Sequence, residues 1–538
     1  MKARRKGNRS GLLLSLALLA ALLSGCAGGA GNVKSQTGET SSVVNQTGLP
    51  IVNEPVTITM MVAKNNSDRT SWKDKEAIKM IERDTGLKLD ITEVPAMAWT
   101  EKINVTIASG DLPDVIIGGI PNLTLNKDSL LPLNDLIDQY SPTLVQLYEN
   151  HPEYKFAGTV PDGNMYSLPL LQSKGAYANI GFSINQAWLD KLKLKMPETT
   201  DELYETLKAF KEKDPNGNGL KDEIPYSFYT DGYYGLDPML WHFNLVNDGS
   251  THVMVEDGKV IFVPSDPRYL EYLKYLHKLY SEGLIDPDGF VQKNTDFVTK
   301  GNKGIIGFFN HHSYADIVVG TDHVNDYVDI VPMKDKDGHR TVMGEKAPGD
   351  FKADQFAISK NAKHPEAIIR MYDYMNADFE RMMTLSFGRK DVIWGNVDDG
   401  KWEKITTIPT GLNNFAEFRH TESPGMSGFY LLTDEHNDRL KLTDPRDIKL
   451  QNKQQLYLPH LKKEVLPLGM DTMEAQQDKN TMYTEINTYI QNFLAQSVLK
   501  GVDDAQWKTH LDNLGKMNIT KYVKLHQDFY DRSQESMK

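Results

Sequence analysis

The stretch DPNGNGLKDEIP, Asp214 to Pro225, places oxygen-bearing side chains at alternate positions: Asp214, Asn216 and Asn218. An EF-hand loop begins this way, with ligands at its first, third and fifth positions. A glycine follows at the sharp turn, here Gly219, and then a backbone carbonyl, here that of Leu220. The pattern then departs. The twelfth position, where an EF-hand puts a bidentate glutamate, is Pro225, and the nearby carboxylates are Asp222 and Glu223. Three readings stand at this point: a calcium loop that has lost its last ligand, an Asn-Gly turn joining two elements, or a calcium loop of different wording.

Catalytic motifs are absent from the rest of the chain. There is no GxSxG and no HExxH, and His311 and His312 are adjacent, so on a strand their side chains diverge. The 73 acidic residues could supply a pair for glycoside cleavage, but none falls in a recognisable constellation. A secreted, calcium-dependent polysaccharide-degrading enzyme is therefore an alternative without a motif behind it. A surface adhesin or signalling protein is a second.

The single cysteine, Cys26, follows a basic start, an apolar run of twelve residues (LLLSLALLAALL) and Leu23-Ser24-Gly25. The run is too short to span a bilayer, which takes roughly 20 apolar residues, and reads as a secretion signal over residues 1–25. A lone thiol behind small residues resembles the lipobox of bacterial lipoproteins. That implies cleavage before Cys26 and its acylation, for example with palmitate, which anchors the protein to the outer face of the cell membrane. Residues 26–52, rich in Gly, Ser, Thr, Asn and Gln, are expected to form a flexible tether. The signal carries five positive charges and no acid, so its removal makes the net charge five units more negative than the −13 of the whole chain. Such a chain is a poor partner for nucleic acid or for anionic lipid.

The elements that must position these groups begin at Glu54 as β-α-β-α-β. VTITMMV (56–62), KLDITEV (88–94) and DVIIGG (114–119) read as strands. KEAIKMIERDTG (75–86) and WTEKINVTIASG (99–110) read as helices stopped by glycine. The alternation predicts a parallel, doubly wound sheet whose ligand sits beyond the carboxyl ends of its strands. Further helices are expected over 197–214, capped by Thr199 or Thr200, and over 268–283, 364–375 and 480–501. GIIGFF (304–309) is expected as a buried strand.

Five phrases, AWTEKINVTIASGDLPDVI (98–116), DGNMYSLP (162–169), the long run 184–225, EGLIDPDGF (282–290) and FAISKNAKHPEAIIRMYDYMN (356–376), together resemble the extracellular solute-binding proteins of family 1. The likeness is to the subgroup of LipO-like and alginate-oligosaccharide-binding lipoproteins of ABC importers. GRKDVIWGN (388–396) departs from the family's usual wording there. The resemblance implies an α/β, two-lobed, type II periplasmic-binding-protein fold with an interlobe cleft, in which an oligosaccharide is captured for an ABC permease. It also implies that Asp214, Asn216, Asn218, Asp222, Glu223 and the Leu220 carbonyl hold a structural calcium ion. The lobes are expected as 53–170 with 311–355, and 171–310 with 356–538. Sugar rings stack on aromatic faces, so the candidate ligand contacts are Trp99, Tyr166, Tyr233, Trp241, Phe309 and Trp394.

Overall fold

The alternation over Val56 to Ile117 folds as its pattern predicts. Strand β1 (Val56–Lys64) lies parallel to β2 (Leu87–Pro95) and to β3 (Val115–Ile117), with the helices Glu76–Thr85 and Trp99–Ser109 as crossovers. The first helix buries Ala77, Ile78 and Ile81, each fully buried isoleucine being worth about 1.5–3 kcal/mol. It stops at Gly86, whose φ of 80° suits a residue without a Cβ. Asp114 ties β3 to β1: its carboxylate accepts the Thr59 N–H at 2.9 Å and the Thr59 hydroxyl at 2.7 Å. The structure is a computed structural model that describes residues 43–172, 180–230, 235–247, 251–312, 316–343, 350–397, 400–412 and 414–538. Cys26 lies outside them.

The remaining strands are β4 (Ser167–Gln172), β5 (Ile180–Asn185), β6 (Ile224–Ser227), β7 (Val253–Glu256), β8 (Lys259–Phe262), β9 (Ile306–His312), β10 (Tyr327–Ile330), β11 (Asp350–Ile358), β12 (Trp394–Asn396), β13 (Trp402–Lys404) and β14 (Leu431–Leu432). One sheet runs β14-β4-β11-β3-β1-β2, with β11 antiparallel to both its neighbours. The other runs β10-β5-β9-β6. Each sheet builds its own apolar core, one around Ile58, Ile117 and Phe356, the other around Phe182, Leu207 and Phe308. This is the two-lobed α/β architecture.

The strand pairings divide the chain differently from the expected boundaries. The segment 311–355 does not join the first lobe as a block, because β9 and β10 pair with β5, and the chain returns to the first sheet only at β11. Nor does everything after 356 belong to the second lobe, since Tyr372, Trp394 and Leu431 sit in the first core. A third crossing follows β14. Tyr457 accepts the Phe182 N–H at 3.0 Å and donates to the Ile330 carbonyl, both in the second sheet. The expected tether is also shorter at its end: Val44, Ile51 and Val52 are buried in the first core, and the Ile51 N–H bonds the Thr85 carbonyl at 2.8 Å. Val43, Val44, Leu49, Ile51 and Val52 interrupt the polar run there.

The helix Met473–Lys500 reaches from the first half to the second. It packs on the helix Pro267–Ser281 and gives Val498 to the second core. Ile486 and Ile490 join Phe262 and Tyr522 in a smaller cluster under β7 and β8. Among the described residues no helix is long and apolar enough to cross a membrane.

Candidate functional site

Residues three or four apart share one face of a helix, and the helix Met473–Lys500 uses that spacing to line two cavities. Met473, Gln476, Gln477 and Asn480 border a cavity of about 620 Å³, with Asn122 to Leu125 of the loop after β3 and Phe351 to Asp354 of β11 opposite. Farther along, Tyr483, Asn487 and Gln491 border a second of about 570 Å³. Its other walls are Phe228 and Thr230 at the end of β6, Asp237 and Trp241 beyond them, and Phe290. Both lie at strand ends and in the size range of small-ligand sites, and each joins aromatic or apolar faces to amide groups.

The wall after β3 is built by close backbone approach. Gly118 has a φ of 141°, and a Cβ there would fall 2.4 Å from the Ala63 Cβ and 3.0 Å from the Trp99 ring. The Trp99 indole N–H donates to the Gly119 carbonyl at 2.8 Å, bracing the loop from behind. The register of β11 against β4 shifts between Lys352 and Phe356. Such a bulge re-aims side chains, and Asp354, inside it, accepts the Ile120 N–H. Burial raises the pKa of its carboxyl. Gln355 faces the other way and donates to the Ser427 and Gly428 carbonyls at 3.1 and 2.9 Å.

Of the expected aromatic contacts, Trp241 reaches a cavity wall. Its ring meets Phe182 edge-on, with centroids 5.8 Å apart. Trp99 is buried behind the loop it braces. Tyr166 is half-buried, donates to the Asp162 carboxylate at 3.1 Å and lines neither cavity. Two expectations are corrected. Trp394 is fully buried in the first core with its indole N–H on the Gly388 carbonyl, and Phe309 is fully buried against Phe297 and Tyr327. Their rings fill the interior and present no face to a ligand. Tyr233 lies outside the described residues. The residues that sequence reasoning missed, Tyr483, Asn487 and Gln491, recur at every fourth position of a helix it had placed; that stripe was the available signal.

The loop Asp214–Glu223 joins the helix Thr200–Glu212 to β6. Asp214 has a φ of 46°, and its carboxylate accepts the N–H groups of Gly217 and Gly219 at 2.9 and 3.1 Å. The amides of Asn216 and Asn218 donate to Asp222 at 3.0 and 3.1 Å, and the exposed Leu220 gives its N–H to Asn218 Oδ1 at 2.7 Å. Glu223 Oε1 is buried with no hydrogen-bond partner. Burial, and then repulsion from Asp214 and Asp222, raises the pKa of Glu223. Three carboxylates and two amide oxygens around an orphaned buried oxygen are a hard donor set that fits calcium. Among the described residues, one trio of acidic or histidine ligand atoms falls within 4.8 Å of one another, Asp335, Asp337 and His339 on an exposed turn. The carboxylates of the 214–223 loop are wider apart, so a cation there would also draw on Asn216 and Asn218.

Two α/β lobes, several crossings and cavities along the interlobe helix define a type II solute-binding architecture. Residues 63–378 match the bacterial extracellular solute-binding protein family, and the chain belongs to it. It is 29% identical over 509 residues to the fructooligosaccharide ABC transporter substrate-binding protein FusA of Streptococcus pneumoniae serotype 4, covering 90% of this chain and 91% of FusA. Over 264 residues it is 30% identical to the polygalacturonan/rhamnogalacturonan-binding protein YtcQ of Bacillus subtilis, covering 46% and 49%. The structure of FusA in complex with kestose superposes with a TM-score of 0.72 at 27% identity, covering 89% of this chain and all of that one. A FusA variant solved with fructo-nystose is described as an EF-hand mutant.

Proposed function

We propose that the protein is the substrate-binding lipoprotein of an ABC importer, capturing an oligosaccharide between its lobes and delivering it to a permease at the outer face of the cell membrane. The observation that carries this reading is the helix Met473–Lys500, which lines a cavity against each lobe. An oligosaccharide long enough to span both cavities would touch both halves, so its binding energy would favour the closed arrangement, the state a permease would read. Similarity to FusA along nine-tenths of the chain supports the sugar class. The lipobox-like Leu23-Ser24-Gly25-Cys26 supports a lipid anchor that holds the receptor near its transporter. The loop Asp214–Glu223 would hold a structural calcium ion, neutralising carboxylates that otherwise repel one another.

The test is a thermal-shift screen of the purified protein against plant, algal and host oligosaccharides, with product analysis on each hit. Stabilisation by a sugar that stays intact supports a receptor. Turnover of that sugar by the pure protein replaces it with the secreted-enzyme alternative.

A further inference from the structure

The two relatives point to ligands of opposite electrostatic character, a fructooligosaccharide without charge and a polygalacturonan with a carboxylate on each galacturonate ring. The cleft itself distinguishes them. Among the described residues, Asp354 and Asp471 line the first cavity and Asp237, which accepts from the Asn247 amide at 3.0 Å, lines the second, against one lining cation, Lys352, whose ammonium donates to the Met426 carbonyl at 3.2 Å. Asp471 is already satisfied by Lys479 and Arg532. No arginine lines either cavity among the described residues. Polyuronate recognition depends on guanidinium forks or ammonium groups that meet each ring's carboxylate. A polyanion entering this cleft would meet Asp354 and Asp237 instead, in surroundings where like charges repel strongly.

Hydroxyl-bearing rings meet the opposite situation. The two oxygens of a carboxylate offer about four acceptor sites, and the N–H groups of Ile120 and of Asp354 itself use two of those of Asp354. The β11 bulge turns Asp354 toward the loop after β3, within 3.4 Å of where a Gly119 Cβ would stand, on the wall opposite Gln477 and Asn480. Burial raises its pKa, and sugar hydroxyls are donors that can reach its remaining acceptor sites from the cavity it lines. We propose that the cleft selects neutral oligosaccharides over uronates and that Asp354 is the hydroxyl acceptor in the first cavity that enforces this. The proposal rests on the oligosaccharide-receptor reading above.

The experiment is calorimetric titration of the parent and of Asp354→Asn with neutral oligosaccharides (fructo-, malto- and cello-oligosaccharides) and with oligogalacturonates of matched length. The expected result is binding of a neutral series alone, weakened about tenfold or more in Asp354→Asn, as loss of a charge-assisted bond requires. The unliganded melting temperature of the variant should stay close to that of the parent. Binding of oligogalacturonate by the parent overturns the proposal and leaves the receptor reading intact. Equal affinity of parent and variant for the neutral sugar, or a variant that melts early but binds equally well, overturns the role of Asp354. Binding of neither class removes the receptor reading and this proposal with it.

Discussion

The Lys75 ammonium lies 3.0 Å from the Asp68 carboxylate, and both side chains are withdrawn from solvent. Lys75 also donates to the His420 carbonyl at 2.6 Å, so the loop after β1, the helix Glu76–Thr85 and the helix Phe415–Glu422 are tied at one point. Burial pushes the Lys75 pKa down and the Asp68 pKa up, which means that each charge depends on the other. Lys75→Met or Asp68→Asn alone should cost about 3–5 kcal/mol, the usual loss when one buried charge is stranded. Joint replacement by apolar residues should recover much of that loss. Urea denaturation of the three variants measures this, and a single-variant cost within error of zero contradicts it.

Removal of calcium should lower stability. If the Asp214–Glu223 loop binds the ion, calcium at about one hundred times its dissociation constant stabilises the fold by about 2.7 kcal/mol. Asp214→Ala with Asp222→Ala should abolish that gain. Superimposed melting curves of the parent in calcium and in chelator would rule the site out.

Acid should destabilise the fold from near neutrality downward. Burial lowers the pKa of His242 to about 3, and its Nδ1 accepts the Met333 N–H at 3.2 Å, so the folded state keeps the ring neutral. The unfolded chain protonates it near its ordinary value of 6.5. Stability from this residue is therefore complete above pH 6.5 and falls as pH drops toward 3, by up to about 1.4 kcal/mol per pH unit. His510, lowered to about 4 by burial, acts in the same direction. Chemical denaturation at stepped pH should show a shallower acid slope for His242→Gln than for the parent, and parallel slopes would contradict the assignment.

Cys26→Ser should move the protein from cells into the medium. Immunoblots of the cell and medium fractions decide this, and full retention of the variant would mean that another anchor exists.

Local elements were legible where a periodic run met a stop signal. Gly86 and Gly110 end their helices at left-handed φ values of 80° and 76°, and the Thr199 hydroxyl caps the helix Thr200–Glu212 by accepting the Glu202 N–H. Strand partnership was not legible, because the assignment of β10 and β11 to different sheets depends on long-range pairing that no local run of residues records. The site was half legible for the same reason. The oxygen spacing of Asp214, Asn216 and Asn218 is local, whereas burial of Phe309 and Trp394 is decided by the residues that pack over them. Asp354 gave no signal at all, since a bulge exists only relative to a partner strand.

The central place of β11 sets the order in which the protein can be made. Strand β3 is complete at residue 117 and β4 at residue 172, but the strand that joins them arrives only with residue 350. A chain emerging from its amino end therefore holds the first sheet in two unjoined pieces until about two-thirds of it has appeared. Such long-range pairing makes folding slow. The corresponding amino-terminal fragment, residues 43–172, should not fold when expressed alone, and adding the complementary fragment should restore structure.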